Sequence, residues 1–306
     1  MSSISVFARG IPRFRRASIL YIPGSDTRKI VKALSNSVVD TRVLDLEDSV
    51  TLHCKDDARA NVSAALRALP SSSASSKQET VVRINSVGSG FETQDLASIL
   101  PLPSLDAVLL PKVNTPSDIR FLNAQIDALA HDASKVKILA SIESAQGLVN
   151  LKEILEADRE KRRIEALVFA AEDFCADLGL VRTPERLEML YGRQHVVAHA
   201  VAYGLQAIDL VCVDFKNESI LREECTEGRT FGFTGKQAIH PNQVEIIQSI
   251  FTPSEKDVEY ATKIVEASKE HASKGAGAFD LNGKVVDAPV ILWAQRILAK
   301  AGLFRP

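Results

Sequence analysis

The sequence of 306 residues has few cysteines, no strong excess of either charge and no long apolar run. Its four cysteines form no C-x-x-C pair and are too sparse for a disulfide framework, so we expect a reduced interior. A balance of 37 basic against 39 acidic residues excludes an overall basic nucleic-acid binder, though not a local basic patch. No apolar run approaches the roughly 20 residues that cross a bilayer, so no membrane partner is predicted.

The N-terminal sixteen residues differ in composition from the rest. They contain four arginines and no acidic residue, with apolar residues between them. This composition fits a short mitochondrial transit peptide, and a frayed basic N-terminus explains it equally well. The first interpretation predicts the mitochondrial matrix as the location, and the second leaves a cytoplasmic one open.

Short apolar runs recur along the chain, each followed by a stretch long enough for a helix. We predict strands at residues 18–22, 41–46, 80–84, 106–110, 137–141, 166–169, 207–213 and 236–239. Their starts are about 31 residues apart, close to the size of one βα unit. Most runs are continuously apolar, as expected for strands covered on both faces. Eight units favour a closed (β/α)₈ TIM barrel, with a doubly wound open sheet as the alternative.

More than fifty residues follow the predicted barrel, so three parts are expected: a basic segment at 1–16, a catalytic barrel at 17–250 and a C-terminal lid extension at 251–306. The extension is predicted to begin with a helix at about Pro253, capped by Thr252 with a capping-box Glu255. A glycine-rich break at 275–277 comes next, then a hairpin turning at Asn282-Gly283 and a final helix after Pro289.

Charged residues stand at the predicted strand ends, where the chemistry of a βα barrel lies. Glu143 and Asp173 end consecutive strands and are predicted to share one Mg²⁺, which takes one or two protein carboxylates. The alternative is a carboxylate pair neutralised by Arg83 or Lys112. Arg83 faces this site, where its planar fork suits a substrate carboxylate or an enolate oxygen, or equally forms a salt bridge at the rim of the core. The other polar residues at strand ends are Tyr21, Asp45, Glu47, Asp48, Asn85, Glu172, Asp214 and His240.

A basic helix is predicted behind the first strand. Arg28 and Lys32 share one face near its start, where free backbone amides also attract phosphate groups. The helix either binds a phosphate-bearing cofactor arm or presents a solvated basic face. Gly228 and Gly235-Lys236 do not have the P-loop spacing, and the sequence contains no G-x-S-x-G or G-x-G-x-x-G motif.

Together these segments resemble the citrate lyase β-subunit-like proteins of the HpcH/HpaI aldolase superfamily, which include the citramalyl-CoA lyases. The resemblance runs from residue 16 to residue 289. It is carried by RASILYIPG (16–24), VLDLEDS (43–49), VRINS (82–86), VLLPKV (108–113), IESAQG (142–147), AEDF (171–174), LQAID (205–209), GFTGKQAIHPN (232–242) and VDAP (286–289).

The resemblance implies a (β/α)₈ barrel that assembles as a homotrimer and holds Mg²⁺ through Glu143 and Asp173. It implies that Arg83 contacts the substrate. The positions that would bind the CoA thioester are Tyr21, Lys32, Ile239 and His240, with Arg28 standing where related animal proteins have lysine. Asp287 matches the catalytic acid/base, on a segment that closes over a neighbouring subunit. On its own, Asp287 is equally an N-cap of the final helix.

The implied activity is the Mg²⁺-dependent cleavage of a 3-hydroxyacyl-CoA thioester, of citramalyl-CoA or malyl-CoA type. The products would be acetyl-CoA and an α-keto acid such as pyruvate or glyoxylate. Two other enzymes stay open, a malate synthase-like condensing thioesterase and a citrate lyase β-subunit acting on an acyl carrier protein. A non-enzymatic barrel would require Glu143, Asp173, Arg83 and Asp287 to be incidental.

Overall fold

Eight parallel strands close into a barrel in the computed structural model, which describes residues 13–35, 38–70, 78–273 and 277–303. The strands are β1 (Ser18–Pro23), β2 (Thr41–Asp45), β3 (Glu79–Arg83), β4 (Ala107–Leu110), β5 (Lys137–Ile142), β6 (Ile164–Phe169), β7 (Gln206–Asp209) and β8 (Gly235–Ala238). Each strand pairs with the next in chain order, and β8 pairs with β1. The predicted (β/α)₈ barrel is confirmed, and the open sheet is wrong.

The strands are continuously apolar because both of their faces are buried. Inward-facing side chains such as Ile19, Val43 and Leu139 fill the inside of the barrel. The alternate residues, such as Leu20 and Leu44, pack outward against the helices. The apolar residues 210–213 were wrongly assigned to the seventh strand, because β7 ends at Asp209.

Helices connect the strands and cover the barrel. They are α1 (Thr27–Ser35), α2 (Lys55–Ala68), α3 (Glu92–Ile99), α4 (Pro116–Leu129), α5 (Ala145–Val149), α6 (Leu151–Glu156), α7 (Ala171–Leu178), α8 (Leu190–Tyr203), α9 (Glu218–Phe231), α10 (Val244–Phe251), α11 (Glu255–Ser273) and α12 (Ala288–Lys300). Short 3₁₀ helices lie at Leu52–Cys54, Leu187–Met189 and Pro241–Gln243. In the parts of the chain that the structure describes, no helix is both long and apolar enough to span a membrane.

The C-terminal extension contains a hairpin between two long helices. Strands β9 (Phe279–Leu281) and β10 (Lys284–Val286) pair antiparallel across Asn282 and Gly283. These two turn residues have φ angles of 56° and 78°, the left-handed conformation that an Asn-Gly hairpin turn requires. The predicted hairpin is therefore confirmed. Its buried residues join those of α11 and α12 in a core of their own.

Helix α11 begins two residues later than predicted. Ser254 caps it, since the Ser254 hydroxyl accepts a hydrogen bond from the Asp257 amide at 3.1 Å. The Asp257 carboxylate in turn accepts one from the Ser254 amide at 3.3 Å. This reciprocal pair is a capping box, and it replaces the one expected between Thr252 and Glu255. Of the predicted break at 275–277, residues 275 and 276 lie outside the described residues.

The N-terminal ends of the strands are closed by residues that the sequence assigned to the basic segment. Phe14 and Arg16 are buried, and Arg16 pairs with Glu79 and Glu165. Gly235 lies so close to this segment that a Cβ on it would stand 1.9 Å from the Arg16 carbonyl oxygen. Residues 13–16 are thus integrated into the barrel, whereas residues 1–12 lie outside the described part of the chain.

Candidate active site

The ends of β2 and β3 supply an arginine–carboxylate pair at the mouth of the barrel. Asp45 and Arg83 are register partners on these adjacent strands. The Arg83 Nε and Nη2 atoms each donate to an Asp45 carboxylate oxygen at 2.7 Å. The Arg83 guanidinium holds the pKa of Asp45 below its usual range, although burial works in the opposite direction. The Arg83 fork is therefore occupied by Asp45, as the salt-bridge interpretation expects, and its predicted contact with substrate stays a prediction.

The loop after β2 adds two more carboxylates beside Arg83. Glu47 Oε2 lies 3.0 Å from Arg83 Nη1, and Glu47 Oε1 accepts from Lys112 Nζ at 2.6 Å. Lys112 Nζ is also 3.4 Å from the exposed carboxylate of Asp48. Burial raises the pKa of Glu47 to about 7, and the two neighbouring cations only partly oppose it.

Tyr21 presents its hydroxyl to the same mouth from β1. Its hydroxyl donates to Gln237 Oε1 on β8 at 2.9 Å, and the Arg83 guanidinium lies 4.9 Å from the centre of its ring. Burial raises the pKa of Tyr21 above its usual range, so the hydroxyl remains protonated. No role was assigned to Gln237 from the sequence. Its role follows from the β1–β8 pairing, which closure of the barrel predicts.

Glu143 follows directly after β5 and is buried at the mouth. Burial raises its pKa, as does the charge of Asp173, while contacts with the Ser141 hydroxyl and the Lys112 backbone amide lower it. Its Oε2 atom makes no hydrogen bond to any described residue. A buried carboxylate oxygen without a partner is costly, so this atom suits a ligand that supplies positive charge.

Asp173 does not end a strand, as the sequence predicted, but lies in the first turn of α7. β6 already ends at Phe169, and the helix begins after one linking residue. The Ala145 amide at the start of α5 donates to Asp177 of α7 at 2.8 Å, which ties this helix to the segment that carries Glu143. The structure thus brings Asp173 within electrostatic reach of Glu143 by a helix rather than by strand spacing.

Seven of the charged side chains at the mouth carry a combined excess of negative charge. We define the mouth cluster as Asp45, Glu47, Asp48, Arg83, Lys112, Glu143 and Asp173, five carboxylates and two cations with a formal charge of −3. No group of three His, Cys, Asp or Glu side chains among the described residues forms a complete metal-ligand set. Glu143 and Asp173 alone suit Mg²⁺, which binds hard oxygens and fills its remaining positions with water and substrate.

The basic helix α1 lies beside the mouth with Arg28 and Lys32 exposed. Its first amides are not free, because Asp26 Oδ1 accepts from the backbone N–H groups of Arg28 and Lys29 at 3.1 Å each. The predicted amide contact with phosphate is therefore wrong. The two side chains remain available, separated by one turn on the same face.

Ile239 and His240 follow β8, next to the end of β1. Leu20 and Ala238 are register partners, so Tyr21 and Ile239 leave the barrel side by side. The Asn242 amide donates to His240 Nδ1 at 3.2 Å, which leaves the ring proton on Nε2 when the imidazole is neutral. The His240 ring stacks on Phe215 with centroids 5.0 Å apart and planes 22° apart. No motif in the sequence pointed to Phe215, which lies six residues beyond the end of β7.

Asp287 caps α12, accepting from the Val290 amide at 3.3 Å. The N-cap interpretation is thus confirmed, and the predicted catalytic role stays open. Two other predicted strand-end residues take no part in the mouth cluster. Glu172 pairs with Arg182, and Asp214 lies exposed five residues after the end of β7.

Comparison with known proteins agrees with this geometry. Residues 17–241 match the model of the HpcH/HpaI aldolase/citrate lyase family. The chain belongs to this family. The family predicted from the sequence is confirmed, and the match spans every strand of the barrel and every member of the mouth cluster.

Relatives within the HpcH/HpaI family carry several activities in their names. The human mitochondrial citramalyl-CoA lyase is 37% identical over 297 residues, which cover 94% of this chain and 85% of the human protein. The citrate lyase subunit beta of Haemophilus influenzae is 36% identical over 293 residues, 94% of this chain and 97% of that protein. The (3S)-malyl-CoA thioesterase of Cereibacter sphaeroides is 34% identical over 284 residues, 93% of this chain and 94% of that protein.

Solved structures of the family share the architecture. CitE from Mycobacterium tuberculosis, determined in complex with magnesium, acetoacetate and coenzyme A, superimposes with a TM-score of 0.75 at 27% identity. The match covers 95% of this chain and all of the CitE chain.

Proposed function

We propose that this protein is a Mg²⁺-dependent carbon–carbon lyase that cleaves a 3-hydroxyacyl-CoA thioester to acetyl-CoA and an α-keto acid. The observation that carries the proposal is the unpartnered Oε2 atom of Glu143, buried in a cluster with a formal charge of −3. Relatives named for citramalyl-CoA and malyl-CoA chemistry, and a CitE structure with magnesium and coenzyme A, support the same class.

Glu143 and Asp173 would hold the metal, since they offer hard oxygens and one of these lacks another partner. Bound there, Mg²⁺ supplies Lewis-acid chemistry that lowers the pKa of a substrate hydroxyl. The protein's contribution is to fix both carboxylates. The Lys112 amide and the Ser141 hydroxyl favour the charged form of Glu143, and the first turn of α7 carries Asp173.

Arg83 stabilises the negative charge that develops on the departing acyl-CoA enolate. Its bidentate pairing with Asp45 fixes the guanidinium plane, so that only Nη1 faces the rest of the cluster. Tyr21 stays protonated and offers a hydroxyl held in place by Gln237. Such fixed dipoles stabilise charge without reorganising during the reaction.

The CoA portion of the substrate would lie across the adjacent ends of β1 and β8. Tyr21, Ile239 and His240 border this surface, and Arg28 and Lys32 offer cations to the phosphate groups from α1. The half-exposed Ile239 and the imidazole stacked on Phe215 provide an apolar face beside these cations.

We propose that Asp287 is the acid/base that protonates the enolate carbon, and that it reaches the mouth of a neighbouring subunit in a homotrimer. Residues 251–306 would form the lid that carries it, separate from the catalytic barrel at 17–250. The separate core of the hairpin, α11 and α12 supports a unit that moves as one body. The N-cap position also holds the Asp287 carboxylate at a fixed place on the lid.

A subunit-mixing experiment tests this arrangement. Asp287→Asn chains and Glu143→Gln chains are each expected to be inactive, while mixed oligomers recover activity because one intact site forms from two chains. Asparagine caps helices nearly as well as aspartate, so the free energy of unfolding of Asp287→Asn should lie within about 1 kcal/mol of the wild-type value. Mixed oligomers that form and remain inactive would exclude a shared site.

We propose the mitochondrial matrix as the location, supported by the basic N-terminal composition and by relatives named mitochondrial. Bacterial relatives are nearly as similar, so a cytoplasmic location is the outcome to test against. A fluorescent protein fused to residues 1–12 should therefore be imported into mitochondria. If the fusion stays in the cytoplasm, these residues do not suffice for targeting.

A panel of thioesters tests the activity itself. Citramalyl-CoA, malyl-CoA and β-methylmalyl-CoA, each with Mg²⁺ or with EDTA, should yield an α-keto acid in the Mg²⁺ arm only. One methyl group is worth about 1–3 kcal/mol in a pocket, so the preferred substrate should stand out clearly. Release of free thiol would indicate a thioesterase instead, and activity only on acyl carrier protein would indicate a citrate lyase subunit.

A further inference from the structure

Lys112 has an unusual backbone conformation at the end of β4. Its φ angle is 50°, in the left-handed region that lysine seldom adopts. Such a conformation is strained in a residue with a side chain, because Cβ approaches the following carbonyl oxygen. It persists only where the surrounding structure enforces it, and residues of this kind cluster at ligand sites.

This conformation places Lys112 between two groups of carboxylates in the mouth cluster, namely Glu143 on one side and Glu47 and Asp48 on the other. The backbone N–H of Lys112 lies near Glu143. Its side chain extends in the direction of β2, with Nζ 2.6 Å from Glu47 and 3.4 Å from Asp48. β3 lies between β4 and β2, so the side chain crosses the end of the strand that carries Arg83.

Lys112 is the more adaptable of the two cations in the mouth cluster. Arg83 is committed to Asp45 through Nε and Nη2 and lies beside Glu47 through Nη1. The ammonium of Lys112 carries three N–H groups on a flexible stem, and 36% of its side chain is exposed. Its longer contact is with Asp48, which is half exposed and well solvated without it.

We propose that Lys112 binds the carboxylate of the 2-hydroxy acid half of the substrate, which becomes the carboxylate of the α-keto acid product. This inference rests on the proposed function and adds a specificity-determining residue to it. A substrate anion entering a cluster with a formal charge of −3 requires a cation that can turn to it. Exchanging Asp48 for the substrate carboxylate leaves the Lys112–Glu47 contact in place.

Three variants separate the charge of Lys112 from its backbone conformation. Lys112→Met removes the charge at similar length, and Lys112→Arg keeps the charge. Lys112→Gly removes the side chain but retains the N–H and accepts a positive φ without strain. Isothermal titration with Mg²⁺ present would measure the Kd of pyruvate, of glyoxylate and, separately, of CoA for each variant.

Lys112→Met and Lys112→Gly should each bind the keto acids about tenfold to a hundredfold more weakly, since a charged hydrogen bond is lost. Their Kd for CoA should stay within about twofold of the wild type, and Lys112→Arg should retain most of the keto-acid affinity. Lys112→Gly should be at least as resistant to thermal unfolding as Lys112→Met, because glycine relieves the left-handed strain.

Unchanged keto-acid affinity in Lys112→Met would overturn the assignment. A parallel loss of keto-acid and CoA affinity would also overturn it, because a purely structural role affects both ligands. A wild-type protein that binds neither ligand would instead overturn the proposed function on which the assignment rests.

Discussion

The two ends of the barrel contain the same kind of ion pair in opposite settings. At the N-terminal ends of the strands, Arg16 donates to both oxygens of Glu79 at 2.5 and 2.7 Å. At the mouth, Arg83 donates to both oxygens of Asp45 in the same bidentate manner. Both arginines and both carboxylates are largely withdrawn from solvent, so the pairs alone do not distinguish structural from functional residues.

The surroundings of the two pairs differ in charge balance. Around Arg16, the neighbours are Glu79, Glu165 and Lys137, so two cations meet two carboxylates. The mouth cluster retains a charge of −3 and a buried acceptor oxygen on Glu143 without a partner. A balanced network stabilises the fold, whereas an unbalanced one is completed by a ligand. This agrees with the division of βα barrels into a stability face and a functional face.

The largest effect is expected from the two carboxylates that we propose to bind the metal. Glu143→Gln and Asp173→Asn should each lower Mg²⁺-dependent turnover by several orders of magnitude, since both supply the hard oxygens of one site. Neither should destabilise the metal-free protein, and Glu143→Gln removes a buried charge that burial disfavours. Turnover at saturating Mg²⁺ measures the loss of activity, and thermal unfolding in EDTA measures the stability of the metal-free protein. Wild-type activity in either variant would contradict the metal assignment.

The opposite outcome is expected at the other end of the barrel. Arg16→Met leaves Glu79 buried without its cation and should lower the free energy of unfolding by about 3–5 kcal/mol. Its turnover per folded molecule should stay unchanged, because Arg16 is remote from the mouth.

Arg15→Met is the matched control, since Arg15 is 42% exposed and lies 3.7 Å from Asp40. That exposed pair is worth about 1 kcal/mol or less. Urea unfolding measures the free energy of unfolding of both variants. Equal losses in Arg16→Met and Arg15→Met would refute the predicted difference between the buried and the exposed pair.

The barrel was predictable because its strands are marked by continuous apolar runs of regular spacing. Errors arose where local sequence does not determine pairing. The apolar residues 210–213 look like strand, yet β7 pairs with β8 only through Ile208 and Asp209. The cap of α11 was misplaced because Thr252 and Ser254 are both good N-cap residues, and it is Ser254 that forms the reciprocal hydrogen bonds, with Asp257.

The residues of the site were predictable, but their partners depend on register. Glu143 and Arg83 were singled out by their position at strand ends. The engagement of Arg83 by Asp45 follows from a β2–β3 register that composition does not reveal. The capping of α1 by Asp26 and the left-handed Lys112 are properties of the folded backbone. The charge excess of the mouth becomes apparent only when these contacts are known.

A smaller effect is expected at the basic helix, outside the mouth cluster. The double variant Arg28→Ala, Lys32→Ala should raise KM for the CoA ester about tenfold with little change in kcat, as for uniform binding lost from a remote part of the substrate. The corresponding acyl-pantetheine ester lacks the adenosine phosphates, so its KM should be unaffected. A large loss of kcat at constant KM would count against the phosphate role.

The smallest effect, a pH dependence of stability, tests the charge excess directly. Burial raises the pKa of Glu47 from 4.5 to about 7, so the folded protein holds a proton that the unfolded chain releases between these values. The free energy of unfolding of the metal-free protein should therefore fall as the pH rises from 4.5 to about 7. Glu47→Gln, which cannot titrate, should show a flatter profile over this range.

Urea unfolding in EDTA at pH 5, 6, 7 and 8 measures both profiles, and Mg²⁺ provides the decisive comparison. A cation bound at Glu143 and Asp173 lowers the negative potential at Glu47, so the wild-type profile should flatten when Mg²⁺ is added. Arg15→Met, altered at the balanced end, should keep the wild-type dependence on both pH and Mg²⁺. If the wild type and Glu47→Gln lose stability in parallel, the proton taken up on folding resides on another group, and Glu47 is not the source of the pH dependence.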